Sequence, residues 1–127
     1  MLKFEGDQHL EVNADEQLID QVIVNLVNNA VKYAPTSKEI IISTQSEGEF
    51  AKVAVTDFGP GIPADKLPYI FRRYYRVDNA GARFSGLGLG LFICSEIIEK
   101  HGGKMGVESK LGQGSTFWFT LPVAASS

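Results

Sequence analysis

Three groups of residues in this sequence have types and spacings that can do chemistry. Asn25, Asn29 and Lys32 are set four and three residues apart, so on a helix turning 100° per residue they fall within about 60° of one another. Two amides on one flank of a helix either satisfy neighbouring backbone or line a polar cavity that holds a metal or a ligand. Asp57 ends an apolar run and opens Asp57-Phe58-Gly59-Pro60-Gly61-Ile62. A carboxylate there either bonds its own turn or reaches into a cleft whose glycines let a ligand approach the backbone. Gly86-Leu87-Gly88-Leu89-Gly90 precedes a helical pattern, and the free N–H groups and dipole of a helix start suit a phosphate chain. That segment is not the dinucleotide fingerprint, because Leu91 stands in the place of the final glycine. It is not a P-loop either, because no lysine is followed by Ser or Thr.

A fourth group is less specific. Arg72, Arg73 and Arg76 alternate with Phe71, Tyr74 and Tyr75, a pattern that serves to clamp phosphate, to grip a partner protein, or merely to form a solvated basic face. Residues 66–83 carry five basic side chains and one acid in a chain whose net charge is -3. The overall acidity argues against a general nucleic-acid binder, while the local excess leaves room for an anion site. Cys94 lies on an apolar helical pattern with no neighbouring base and reads as core, not as nucleophile. One cysteine forms no internal disulfide and, with only His9 and His101 beside it, no zinc set, so a reducing compartment fits best.

These residues need elements to hold them. Leu2–Gly6 and Leu10–Asn13 read as an opening strand pair. From Asp15, Leu18, Ile19, Val22, Ile23, Leu26, Val27 and Ala30 follow helical periodicity, with Asn13 or Asp15 as cap and Pro35 as stop. Glu39–Ser43 and Phe50–Thr56 form a hairpin that delivers Asp57 to its far end. One helical turn falls within Ala64–Phe71, followed by a mobile stretch to residue 85. Gly86–Gly90 opens a second helix through Leu91, Ile93, Cys94, Ile97 and Ile98, ended by His101-Gly102-Gly103. Met105–Ser109 and Thr116–Leu121 close the chain as a hairpin, with Ala124–Ser127 a frayed tail. At 127 residues, with 44% hydrophobic and 21% charged side chains, this is one globular domain. The order predicts an α+β two-layer sandwich: a mixed, mostly antiparallel sheet with helices on one face. No stretch approaches the roughly 20 apolar residues of a membrane span.

Taken together, the motifs resemble the ATP-binding catalytic domain of bacterial sensor histidine kinases, within the wider GHKL group. Asn25-Leu26-Val27-Asn28-Asn29-Ala30-Val31-Lys32-Tyr33 resembles the family's asparagine box, and Asp57–Ile62 its first glycine box. Ile70-Phe71-Arg72-Arg73-Tyr74-Tyr75-Arg76 resembles the phenylalanine box, Gly86–Leu91 the second glycine box, and Gly112-Gln113-Gly114-Ser115-Thr116-Phe117 the closing glycine motif.

The resemblance implies a GHKL-type fold over residues 1–123, with 124–127 a flexible tail. It implies that Asn29 coordinates Mg bridging the ATP phosphates, that Asn25 supports the same pole and that Lys32 touches phosphate oxygens. Asp57 would accept from the adenine amine, with Tyr33, Ile62, Gly59, Gly61 and Thr116 around the base. Phe71 would belong to the nucleotide set, Gly86, Leu87, Gly88, Leu89, Gly90 and Leu91 would form the lid, and Arg73 or Arg76 would approach the γ-phosphate. The implied activity is γ-phosphoryl transfer to a histidine on a separate dimerisation domain, which in turn serves a response regulator. Neither His9 nor His101 fits that acceptor, so the chain alone is expected not to autophosphorylate on histidine. Two departures stand out: Arg72 where the family commonly has Glu, and Asn25 where the related gyrase, chaperone and mismatch-repair ATPases have a water-activating glutamate, which implies slow hydrolysis. The implied setting is a cytoplasmic, monomeric domain of a parent that a membrane anchor can hold, with no membrane or nucleic-acid contact of its own. The alternatives are a degenerate or regulatory nucleotide-binding domain acting by docking, and an anti-sigma-type serine kinase on the same fold.

Overall fold

The computed structural model describes residues 2–6, 14–33, 39–71 and 90–123, with side chains over 14–31, 39–71 and 90–123. In chain order these form strand β1 (Leu2–Gly6), helix α1 (Glu16–Tyr33), strands β2 (Ile40–Glu47) and β3 (Phe50–Asp57), a 3-10 turn (Leu67–Tyr69), helix α2 (Gly90–Lys100), and strands β4 (Met105–Lys110) and β5 (Gly114–Pro122). The second member of the opening pair, the Pro35 stop, the stretch expected to be mobile beyond Phe71 and the tail 124–127 lie outside the described residues.

Helix α1 starts because Asp15 caps it. Its Oδ1 accepts from the N–H groups of Gln17 (3.1 Å) and Leu18 (3.3 Å), satisfying two donors that a helix start otherwise leaves free. Val22, Leu26 and Ala30 are buried and recur at helical spacing, with Ile19, Ile23 and Val27 packed beside them. Leu18, expected on the same stripe, is 37% exposed, while its neighbour Ile19 packs against the core. Helix α2 buries Cys94, Ile97 and Ile98. It ends where Gly103 N–H bonds Ile98 C=O and Gly102 N–H bonds Glu99 C=O, both at 3.0 Å, the paired closure of a Schellman motif.

The sheet has the order β1-β2-β3-β5-β4. β1 runs parallel to β2, and the other three pairings are antiparallel. The hairpin β2–β3 is tighter than expected, because β2 continues to Glu47 and leaves only Gly48 and Glu49 for the turn. Alternation along β5 buries Ser115, Phe117, Phe119 and Leu121, and the last three join Ile98, Val22 and Leu26 in one core. The opposite face carries Thr56, Thr116 and Trp118, with Lys52 Nζ 4.8 Å from the Trp118 ring centroid. Among the described residues, both helices pack on one face. Ile70 is buried, and Phe71 meets Phe117 edge to face, with ring centroids 6.3 Å apart.

Candidate functional site

The site grows from one polar row at the end of the sheet. Register places Asp57 opposite Ser115, and Ser115 opposite Ser109, one step beyond the apolar row Val55, Phe117, Val107 and two residues along each strand. All three polar side chains therefore share the helix-facing side. Asp57 is 5% exposed and Ser115 6%. A carboxylate at that depth needs hydrogen bonds. Its Oδ1 accepts from Gly59 N–H at 3.0 Å and from Ser115 N–H at 3.3 Å, whereas Oδ2 receives no donor among the described residues. One oxygen of Asp57 thus secures the Gly59 turn, as the turn reading expects, and the other has no donor among the described residues.

Ser109 supplies the second half of this end. Its Oγ accepts from Ile62 N–H at 2.7 Å, lies 3.0 Å from Gly114 C=O, and lies 2.7 Å from Ser115 Oγ. The loop after β3 is thereby laced to the β4–β5 hairpin, and Gly112 N–H adds a bond to Pro60 C=O at 2.7 Å. The approach is close enough to require glycine twice. Gly61 has φ +78°, and a Cβ there would collide with Lys110 C=O; Gly114 has φ +92°, and a Cβ there would collide with Asp57 C=O. The packing of Gly61 on the β4–β5 hairpin therefore demands glycine by itself, beside any role in ligand approach.

Two contacts orient the helices. Asp15, at the start of α1, donates its N–H to His101 Nε2 at the end of α2 (3.1 Å), and Asn25 Nδ2 donates to Cys94 Sγ (3.5 Å). The helices are consequently antiparallel. Advancing one turn from Asn25 while stepping one turn back from Cys94 brings Asn29 level with Gly90, the residue whose N–H opens α2. Asn25 and Asn29 are both half-buried. Asn25 has a partner on the facing helix, while the Asn29 amide makes no hydrogen bond among the described residues.

Thr116 points to the opposite face of the sheet, where its Oγ1 lies 3.0 Å from Thr56 Oγ1. The position beside the Asp57 carboxylate belongs to Ser115, because strand parity decides which neighbour faces the core. Phe71 packs on Phe117, and Ile62 and Leu91 pack against the core. Lys32 and Tyr33 end α1, their side chains outside the described residues, as are Arg72, Arg73, Arg76, Gly86, Leu87, Gly88 and Leu89. Ser109 and Ser115 were missed by motif reading. The signal that finds them is the alternation Phe117, Phe119, Leu121, extended back one step and carried across the hairpin.

Cys94 is fully buried. Burial pushes its thiol up from the ordinary value, with the Asn25 amide offsetting part of the shift, so it is a packing residue and not a nucleophile. His101 engages both ring nitrogens, Nδ1 with Ile97 C=O at 2.8 Å and Nε2 with Asp15 N–H. Among the described residues no group of three or more His, Cys, Asp or Glu gathers to hold a metal.

Comparison with known proteins agrees with this architecture. The family described as histidine kinase-, DNA gyrase B-, and HSP90-like ATPase matches residues 14–125. The chain is 47% identical over 113 residues to the adaptive-response sensory kinase SasA of Crocosphaera subtropica, covering 88% of this chain and 29% of that protein. It is 43% identical over 109 residues to the sensor protein SrrB of Staphylococcus aureus, covering 85% and 19%. The crystallised catalytic domain of histidine kinase ThkA superposes with a TM-score of 0.79 at 35% identity, covering 95% of this chain and 77% of that one. The full-length ShkA structure in complex with AMPPNP gives 0.82 at 29% identity, covering 99% and 26%. The chain belongs to the histidine kinase-, DNA gyrase B- and HSP90-like ATPase family, as an ATP-binding catalytic domain of the sensor histidine kinase type. It spans less than a third of the length of SasA or SrrB.

Proposed function

We propose that this domain holds Mg-ATP and presents its γ-phosphoryl group to a histidine on a separate helical dimerisation domain, whose phosphate then passes to a response regulator. What supports the reading is that the antiparallel helices bring Asn29 level with the N-terminus of α2, and that Asp57 Oδ2 receives no donor among the described residues. A nucleotide binds with its adenine amine donating to Asp57 Oδ2 and its phosphates at the N–H groups of α2. Ile62 packs near the base, and Lys32, Arg73 and Arg76 supply positive charge around the phosphates. Asn29, whose amide makes no hydrogen bond among the described residues, would offer its oxygen, a hard donor, to a magnesium ion. When bound, it neutralises charge on the phosphates. The domain's own share of catalysis is to fix the nucleotide so that the acceptor imidazole nitrogen attacks the γ-phosphorus in line. The N–P bond forms as the bond to the β-phosphate oxygen breaks and ADP leaves.

No acceptor fits among the described residues. His101 has no ring nitrogen to offer, since one donates to Ile97 C=O and the other accepts from Asp15 N–H. Asn25 is an amide bonded to Cys94 and has no basic oxygen to activate water, so the phosphoryl group is kept for the histidine. No helix among the described residues is long and apolar enough to cross a membrane. The proposed setting is the cytoplasmic side, where ATP is available, as a monomeric module of its parent.

The test is incubation with γ-labelled ATP, alone and with a histidine-bearing dimerisation domain added in trans, beside a serine-bearing protein. Acid-labile, base-stable label on the added histidine domain, and none on this chain, is expected. Label on serine, or on this chain by itself, contradicts the proposal.

A further inference from the structure

We propose that Ser109 is a positioning residue that sets the hydrogen-bond polarity of the base-recognition end and thereby its preference for adenine over guanine. The inference rests on the reading of Asp57 as the base-recognising carboxylate. A serine hydroxyl has one proton and two acceptor lone pairs. Ser109 Oγ has three neighbours: Ile62 N–H, which can only donate, Gly114 C=O, which can only accept, and Ser115 Oγ, which can do either. The Ser109 proton goes to Gly114, and one lone pair goes to Ile62. Keeping all three contacts satisfied leaves only the second lone pair for Ser115, which makes Ser115 the donor.

That assignment has a consequence one strand away. Ser115 is cross-strand from Asp57 on the same buried side, and with its proton committed to Ser109 it offers only lone pairs elsewhere. Asp57 Oδ2 also offers only lone pairs. Among the described residues, the side chains of Asp57 and Ser115 therefore present acceptors alone. Adenine carries an amine donor at its six-position, and guanine carries a carbonyl acceptor there. Adenine meets the acceptors with N–H groups, whereas guanine sets acceptor against acceptor and leaves buried groups unpaired. Without the Ser109 hydroxyl, the Ser115 proton rotates free and can serve a guanine carbonyl.

A double-variant comparison separates this role from a structural one. Affinities for nonhydrolysable ATP and GTP analogues are measured calorimetrically for the wild type, Ser109→Ala, Ser109→Thr, Ser115→Ala and Ser109→Ala/Ser115→Ala, with melting curves for each. The wild type should favour the ATP analogue. Ser109→Ala should lower that preference about tenfold, and Ser109→Thr, which keeps the hydroxyl, should hold it within about twofold. Ser109→Ala/Ser115→Ala removes the errant proton and should recover most of the preference. A preference unchanged in Ser109→Ala, or lost further in the double variant, overturns the role of Ser109 while leaving Asp57 in place. A wild type without preference overturns the adenine reading itself. Should Ser109→Ala not fold, Ser109→Cys, a weak acceptor, takes its place with the same expected loss, and an unchanged preference there refutes the inference.

Discussion

Replacing Asp57 with asparagine separates binding from folding, because the two carboxylate oxygens do different work. Oδ1 holds the backbone N–H groups of Gly59 and Ser115 at 3.0 and 3.3 Å, and an amide oxygen can accept both. The amide nitrogen then replaces Oδ2 and turns a charged acceptor into a donor facing the adenine amine. Hydrogen bonds to charged groups contribute about 1.5–3 kcal/mol, so ATP-analogue affinity should fall about 10- to 150-fold. The fold loses only the charge assistance of two bonds, about 1 kcal/mol, and the melting temperature should drop by about 4 °C. Asp57→Ala makes the contrast, since it strands two buried N–H groups at about 1–3 kcal/mol each. Calorimetric titration with thermal melts reads both quantities. Affinity within twofold of wild type in a folded Asp57→Asn protein would refute the assignment. Lost binding with a collapse in melting temperature as large as that of Asp57→Ala would make the carboxylate structural only.

Further expectations concern the hairpin, the phosphate pole and the core. Gly61→Ala meets both a left-handed φ and the Lys110 carbonyl and should cost about 3 kcal/mol, whereas Gly112→Ala, at φ +79° in open space, should cost about 1 kcal/mol; equal costs in urea unfolding would contradict the packing. Asn29→Ala should weaken binding of the ATP analogue in Mg and leave binding in EDTA unchanged, and a loss of thermal stability with the Mg effect intact would make Asn29 structural. The buried Cys94 thiol, raised by desolvation, contributes stability that is fully present below its ordinary pKa and falls as the pH rises above it. Cys94→Ala should flatten that alkaline decline, and alkylation of Cys94 in the native protein should track global unfolding; rapid labelling under native conditions would contradict its burial.

How much was legible in the sequence depended on how local the cause was. The α1 stripe and the Asp15 cap are set by spacing and by one side chain, and both were readable. The strand ending at Asp57 was equally clear, because alternation from Ala51 to Val55 fixes its parity. The parallel pairing of β1 with β2 has no turn to announce it, so its partner was not visible. Thr116 was favoured over Ser115 because the closing motif was read as a string, while the pleat decides which of two adjacent hydroxyls faces Asp57. Ser109 carries no motif signal at all. Its importance comes from a register across the β4–β5 hairpin and from a loop brought to it by Gly61, neither of which exists until the sheet forms. The packing of the Phe71 ring on Phe117 was equally invisible, because it joins segments 46 residues apart in the chain.

The central claim is a site that recognises adenine at Asp57 and phosphates through Mg near Asn29 and the start of α2. Its most direct test is one calorimetric series on the purified chain: a nonhydrolysable ATP analogue with Mg, the same analogue in EDTA, and the GTP analogue with Mg. Tight binding only in the first, at least tenfold weaker in each of the others, is the expected result. Equal binding of both bases, binding indifferent to Mg, or no binding at all would contradict the account.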